Sequence, residues 1–244
     1  MEMATQLRKA DSGNRLLAGL PSRDQERIMS KLVPSFLEAE TVLFEPGEVV
    51  AAVYFPLDGV VSLVTPLQDG AIVEVATVGN EGVVGVPAVL GGSLAVRAIS
   101  QVAGRSLTMT TSSFLGEVAL NEPLARLVQN YVQALFGQIS QAAACNRLHS
   151  SEQRLSRWLL MSRDRVGKDQ FPISKEFLGQ MLGAPRATVT LAAGVLQKEG
   201  LISYRRGLIE IVDGKRLEVV ACECYRVIRA EFDGVTAAAG TQPE

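Results

Sequence analysis

Residues 174–203 constrain the fold of this chain more than any other stretch. Phe177, Leu178, Met181 and Leu182 form an apolar stripe at helical spacing, and Gly183 follows where the chain must turn sharply without a Cβ in the way. Pro185 restarts the chain, since its fixed φ suits the first turn of a helix. That second helix would bury Val189, Ala192, Ala193 and Leu196 and leave Arg186, Ala187, Thr188 and Thr190 near an exposed N-terminal end. Two short helices around a tight turn read as a helix-turn-helix, whose second helix enters the major groove; an ordinary helical hairpin shares the bare pattern. The residues immediately downstream favour the helix-turn-helix. After Gly200-Leu201-Ile202 come two β-like runs, Ser203 to Ile211, around a basic Arg205-Arg206-Gly207 turn, which is the wing of a winged helix. The candidate DNA-binding residues are therefore Pro185, Arg186, Ala187, Thr188, Thr190, Arg205 and Arg206, with double-stranded DNA as the expected partner.

The charge distribution fits that placement. The whole chain has 244 residues and a formal charge of −2, yet residues 150–216 hold 12 Lys/Arg against 7 Asp/Glu. A locally basic domain on an acidic body suits phosphate binding, although a solvated charged face produces the same asymmetry. An apolar share of 47% supplies real cores for one large or two medium domains. The uncharged stretch Gly82 to Val96, 15 residues long, carries four glycines and Pro87 and is too short and too broken to span a bilayer. No signal peptide is expected, because Arg8, Lys9 and Asp11 are not followed by a continuous apolar run. Three cysteines, all beyond residue 144, make no secreted disulfide framework, so the expected location is the cytoplasm with no membrane partner.

The N-terminal half has a different rhythm. Glycines at 47, 59, 70, 82, 92 and 104 fall at intervals of 10 to 12 residues, often as Pro-Gly, Asp-Gly or Gly-Gly. Val49 to Phe55, Val60 to Val64, Ala71 to Val78 and Val83 to Leu90 between them are rich in β-branched residues and predict an antiparallel barrel or roll, a generic β-sandwich being the other architecture. Short helices are expected over Arg15 to Leu20 and Arg23 to Leu32, the second capped by Ser22.

Residues 123 to about 148 predict a long helix. Val128, Val132, Leu135, Ile139, Ala142 and Asn146 follow alternating steps of four and three, a heptad seam that asks for a partner helix. A single amphipathic helix packed on the roll is the alternative. The seam makes these six residues the candidate homodimer interface, in which Asn146 could fix register. A domain boundary is expected near Leu148-His149-Ser150-Ser151, with Ser151 capping a helix from Glu152 to Arg165 that sends Leu155, Trp158, Leu159 and Leu160 into the core.

Enzyme chemistry finds little support. The single histidine, His149, reads as structural, and no phosphate loop, His-Glu-x-x-His or Gly-x-Ser-x-Gly is present. Cys222-Glu223-Cys224 could be a thiolate pair, but on a helix residues two apart face away from each other, so neither a metal nor a cofactor is expected.

Gly183-Ala184-Pro185-Arg186-Ala187-Thr188-Val189 followed by Leu196-Gln197-Lys198-Glu199-Gly200-Leu201-Ile202 resembles the DNA-binding half of the Crp-Fnr family of bacterial transcription regulators. Phe44-Glu45-Pro46-Gly47-Glu48 and Val53 to Val61 look like the opening strands of that family's roll, so the resemblance covers about residues 14–216. It implies an α+β fold with an N-terminal antiparallel β-roll (14–122) of the cyclic-nucleotide-binding type, a long dimerisation helix (123–149) and a C-terminal winged helix-turn-helix with a final helix (150–234), between flexible ends 1–13 and 235–244. It also implies a palindromic site bound as a dimer and RNA polymerase as a partner. The family's iron-sulfur sensors need cysteines mostly near the N-terminus, which this chain lacks, and its haem sensors an axial histidine in the roll.

The candidate effector-binding positions implied by the resemblance are Gly85, Val86, Arg97 and Ala98. Family members that bind cyclic AMP use a carboxylate where Val86 stands and a hydroxyl where Ala98 stands, so only Arg97 keeps the pattern; it reads equally as a surface arginine at a strand start. Cyclic AMP is therefore not the expected effector, and no other is indicated. The family's best-known base-reading residues also change: Arg186 remains, while Ala187 and Leu191 stand where a glutamate and a second arginine would be. A signalling module that uses the same roll without binding DNA is the alternative function.

Overall fold

The computed structural model describes residues 13–237. The expected flexible ends lie outside the described residues except for Gly13 and residues 235–237, the latter continuing a helix. The described residues begin with two short helices, α1 (Arg15–Ala18) and α2 (Ser22–Met29). Asn14 caps α1 by accepting from Leu17 N (3.1 Å), while its amide donates to the carbonyls of Pro56 and Gly82. Ser22 lies inside α2 rather than capping it; Pro21 takes that position without a side-chain bond.

Seven strands form the roll: β1 (Val33–Leu37), β2 (Val42–Phe44), β3 (Ala52–Pro56), β4 (Val60–Pro66), β5 (Ile72–Val78), β6 (Arg97–Val102) and β7 (Gly104–Thr110). They pair antiparallel in two sheets, ordered β1-β7-β3 and β2-β6-β4-β5, around a core that includes Phe55, Val61, Val64 and Phe114. The strand expected over Val83 to Leu90 is a correction. Gly85 adopts φ 115° and Pro87 sits in the first turn of a short helix α3 (Val86–Val89), leaving Val84 paired only with Tyr54. A left-handed glycine followed by proline overrides the β propensity of the valines.

After the roll come α4 (Thr111–Leu120) and the 27-residue α5 (Glu122–Leu148), whose N-cap Asn121 accepts from Leu124 N. Then come α6 (Ser151–Val166), β8 (Gln170–Pro172), α7 (Lys175–Met181), α8 (Arg186–Lys198), β9 (Ile202–Arg205), β10 (Leu208–Ile211), α9 (Gly214–Val220) and α10 (Cys224–Ala237). Ser150, not Ser151, caps α6, in a reciprocal capping box with Gln153.

The long helix packs on β5, α4 and α10, which corrects the expected seam. Val128, Leu135 and Ala142 are buried in the chain's own core, with Tyr131 stacked near Phe232 and Gln138 bonded to Thr77. Val132, Ile139 and Asn146 stay at least partly open, and the exposed positions beside them are Phe136 (70% exposed) and Ala143. An open stripe of Val132, Phe136, Ile139, Ala143 and Asn146 keeps the four-three spacing but lies one residue further on at alternate positions. The helix is apolar on two faces, so period alone cannot say which face the roll takes.

The roll and α6 are joined by buried polar groups. Trp158 Nε1 donates to Glu74 Oε1 (3.0 Å), Ser62 Oγ donates to Glu74 Oε2 (2.7 Å), and Arg165 Nε pairs with Glu81 Oε1 (2.7 Å) with both side chains almost fully buried. Trp158 is thus the core anchor expected. The loop from Gly79 to Gly85 runs between these parts: a Cβ at Gly79 would collide with the Arg165 side chain, and one at Gly82 with the Tyr131 ring.

Candidate nucleic-acid interface

The helix-turn-helix is built from short-range chemistry. Ser174 caps α7 by accepting from Phe177 N (3.0 Å), and Phe177, Leu178, Met181 and Leu182 face inward. Arg154 on α6 donates to the carbonyl of Leu182, closing the end of α7. Gly183 has φ 54°, as a sharp turn requires, and Gly179 lets the turn approach closely, since a Cβ there would sit 3.0 Å from the Ala184 carbonyl. Pro185 is the N-cap of α8, which begins at Arg186.

On α8, Val189, Ala192, Ala193 and Leu196 are buried, while Arg186, Ala187 and Thr190 are exposed and Thr188 is half-buried. Thr190 Oγ1 donates to the Arg186 carbonyl (2.9 Å), so its methyl group and a lone pair are what it offers outward. Leu191 is 71% exposed on the same open side. The sequence carries the signal for it, because position 191 falls outside the buried 189, 192, 193, 196 stripe.

The wing is a tight hairpin. Leu208 pairs with Arg205 and Ile209 with Tyr204 across a two-residue turn in which Arg206 (φ 51°) and Gly207 (φ 79°) are both left-handed. Arg205 and Arg206 are exposed. A third strand, β8, extends the sheet on the other side of β10 through Phe171 opposite Ile209, where the sequence pattern predicts no strand. Tyr204 ties wing to helix: its hydroxyl donates to the Ile173 carbonyl (2.7 Å), Lys175 Nζ lies 5.3 Å from its ring centre, and the positive charge of Arg186 acts on its phenol. Burial nonetheless holds that phenol above its ordinary range. The N-terminal end of α8 and the wing are therefore brought together.

The four effector positions are not assembled into a polar pocket. Gly85 supplies the left-handed N-cap of α3, Val86 is buried, Ala98 is completely buried within β6, and Arg97 Nε pairs with Glu45 Oε2 (2.8 Å). A cleft of about 420 Å³ lies elsewhere, between the roll, α6 and α10; its charges are taken up in pairs such as Arg15 with Asp233 and Arg165 with Glu81. The one strongly perturbed carboxyl at the domain junction is Glu74, which burial raises to about 7 against the opposing pull of Ser62, Arg157, Arg165 and Trp158. The reading of Cys222 and Cys224 as facing apart on a helix is also corrected: Cys222 precedes α10, which starts at Cys224, and both thiols turn inward.

A seven-stranded roll, a long helix and a winged helix-turn-helix in this order define a transcription regulator with a cyclic-nucleotide-binding-type domain. Residues 34–121 match the cyclic nucleotide-binding domain family and residues 153–220 the Crp-like helix-turn-helix domain family. The chain belongs to the Crp-Fnr family of transcription regulators. Among solved structures it is similar to FixK2 from Bradyrhizobium japonicum (17% identity, 78% of this chain and 98% of that one, TM-score 0.68). It is also similar to a putative regulator of the crp/fnr family from Eubacterium rectale (17% identity, 86% and 99%, TM-score 0.63). A third, the c-di-GMP-responsive regulator CLP of Xanthomonas campestris, shares 16% identity over 78% and 99% of the two chains with a TM-score of 0.61. Compared with curated protein sequences, the chain has no significant match.

Proposed function

We propose that this regulator binds a palindromic duplex as a homodimer, reads bases through the N-terminal end of α8, and is controlled by something other than cyclic AMP. The observation that carries the reading is the split of α8 into a fully buried apolar side and an open side of Arg186, Ala187, Thr190 and Leu191 beside a basic hairpin. Arg186 would make a bidentate contact to guanine, and Thr190 and Leu191 would offer methyl groups to thymine. Arg205 and Arg206, at the tip of the hairpin, would neutralise phosphates and set register without reading sequence. Pro185, Ala187 and Thr188 complete the interface by shaping the helix entry.

Dimer formation through the open stripe of α5 would place two α8 helices about a two-fold axis, which a palindrome requires. The buried apolar side chains of Val86 and Ala98, and the engagement of Arg97 by Glu45, support independence from cyclic AMP. RNA polymerase is the protein partner proposed from family membership.

Titrations of Arg186→Ala and of Arg205→Ala with Arg206→Ala against cognate and random duplexes at several salt concentrations test the division of labour. The first should cost roughly 1–3 kcal/mol on the cognate site and spare random DNA. The second should weaken both duplexes by similar factors and flatten the salt dependence. Equal weakening of both duplexes by Arg186→Ala would show that α8 does not read bases.

A further inference from the structure

Three cysteines and the only histidine of the chain meet at one point. Cys145 and His149 stand four residues apart at the end of α5, which puts their side chains on one face. Cys222 comes from the connection between α9 and α10, and Cys224 is the first residue of α10. The four donor atoms all lie within 4.8 Å of one another, and the three cysteines are buried. Cys145 Sγ is 3.6 Å from Cys222 Sγ, and Cys224 Sγ is 3.5 Å from His149 Nδ1.

The 3.6 Å and 3.5 Å separations match the edges of a tetrahedron around one metal ion. A zinc ion with bonds of about 2.3 Å to sulfur and about 2.0 Å to nitrogen holds sulfurs about 3.8 Å apart and sulfur about 3.5 Å from nitrogen. A four-iron cluster seats its cysteines around a cube of metal and sulfide and needs them further apart than one ion does. The histidine is oriented as a ligand. Its Nε2 lies 3.3 Å from the Glu223 carboxylate, which leaves Nδ1 turned to the sulfurs, the arrangement by which carboxylates fix metal-bound imidazoles. Gln141 Nε2 donates to Cys224 Sγ (3.2 Å), and the positive charges of Arg154 and Arg157 act on Cys145, offsetting the negative charge that three thiolates leave on a divalent ion.

We propose that Cys145, His149, Cys222 and Cys224 form a closed, four-coordinate zinc site that pins α10 to the hinge between the long helix and the winged helix. The ligand set of three soft thiolates and one imidazole favours zinc over the hard cations, and with all four positions filled by protein the ion is structural. Binding releases the thiol protons to water and needs no oxidant. The cysteines that pair across the site are 77 residues apart, and α6, α7, α8 and α9 all lie between them, so the ion closes the DNA-binding module into a loop.

The full-length chain, purified under reducing conditions without chelator, should carry about one zinc per chain by elemental analysis. Cobalt added to the metal-free protein should give a thiolate-to-metal charge-transfer band and the strong visible bands of a tetrahedral site. Cys145→Ser and Cys224→Ser should lose both. Because a cysteine variant could also unfold, Glu223→Gln provides the second measurement: its carboxylate is exposed, and losing it should weaken zinc binding about 10- to 100-fold with the fold retained. Failure of the reduced wild-type protein to take up zinc or cobalt, recovery of iron with acid-labile sulfide, or a Cys145–Cys222 disulfide mapped in the freshly purified chain would each overturn the proposal.

Discussion

Glu74→Gln should stabilise this protein at neutral pH, although it alters a fully hydrogen-bonded buried residue. Burial raises the Glu74 carboxyl from 4.5 to about 7. A group whose folded pKa exceeds its unfolded one contributes stability that is fully present below the unfolded value and is lost as pH rises through the folded value. The native protein should therefore lose stability between about pH 4.5 and 7 through this residue, and a difference of about 2.5 units at 1.36 kcal/mol each amounts to about 3 kcal/mol. Glutamine keeps the shape, accepts from Trp158 and donates to Ser62, with no charge to desolvate. Urea unfolding of both proteins from pH 5 to 8 should show the variant gaining on the wild type as pH rises. Trp158 is the only tryptophan and bonds to Glu74, so its emission should titrate with a midpoint near 7 in the wild type and stay flat in the variant. A parallel pH dependence in the two proteins, or a variant less stable than wild type at pH 8, would refute the idea that the carboxylate is held in a site that disfavours its charge.

Phe136→Asp should leave a folded monomer that binds DNA weakly, whereas Leu135→Asp, only one residue away but 4% exposed, should unfold the chain by burying a charge in its own core. Light scattering with circular dichroism separates the two outcomes, and a Phe136→Asp protein that remains a dimer removes the open stripe as the interface. Cyclic AMP should bind about two to three orders of magnitude more weakly than a pocket with both polar partners would hold it, since unpaired buried ligand groups cost roughly 1–3 kcal/mol each. Micromolar or tighter binding by calorimetry would contradict this.

The helix-turn-helix is legible in the sequence because the signals that mark it are local. Gly183 needs a positive φ, Pro185 starts a helix, and the buried stripe of α8 repeats at 3.6 residues, so the contact from Arg154 to the Leu182 carbonyl adds to a pattern already set. The strands that the sequence hides are those whose partners decide them: β1 shows no alternation because three of its five residues are exposed. The phase of the α5 stripe is illegible for a related reason, since Leu135 and Phe136 are equally apolar and only the roll chooses between them. In the cysteine cluster, the four-residue step from Cys145 to His149 is visible in the sequence, but the return of the chain to that point after the winged helix is not. Val86 and Ala98 announce by their own side chains that they offer no polar group, yet the valines around position 86 predict a strand where α3 stands.

The loop from Gly79 to Gly85 leads directly into α3 while resting, at two glycines without side chains, on Arg165 of α6 and Tyr131 of α5. One stretch of backbone is thus seated against both the long helix and the root of the DNA-binding arm. A methyl group at position 82 would run into the Tyr131 ring, so Gly82→Ala should loosen the seat of the roll on α5 while leaving α8 and the wing unaltered.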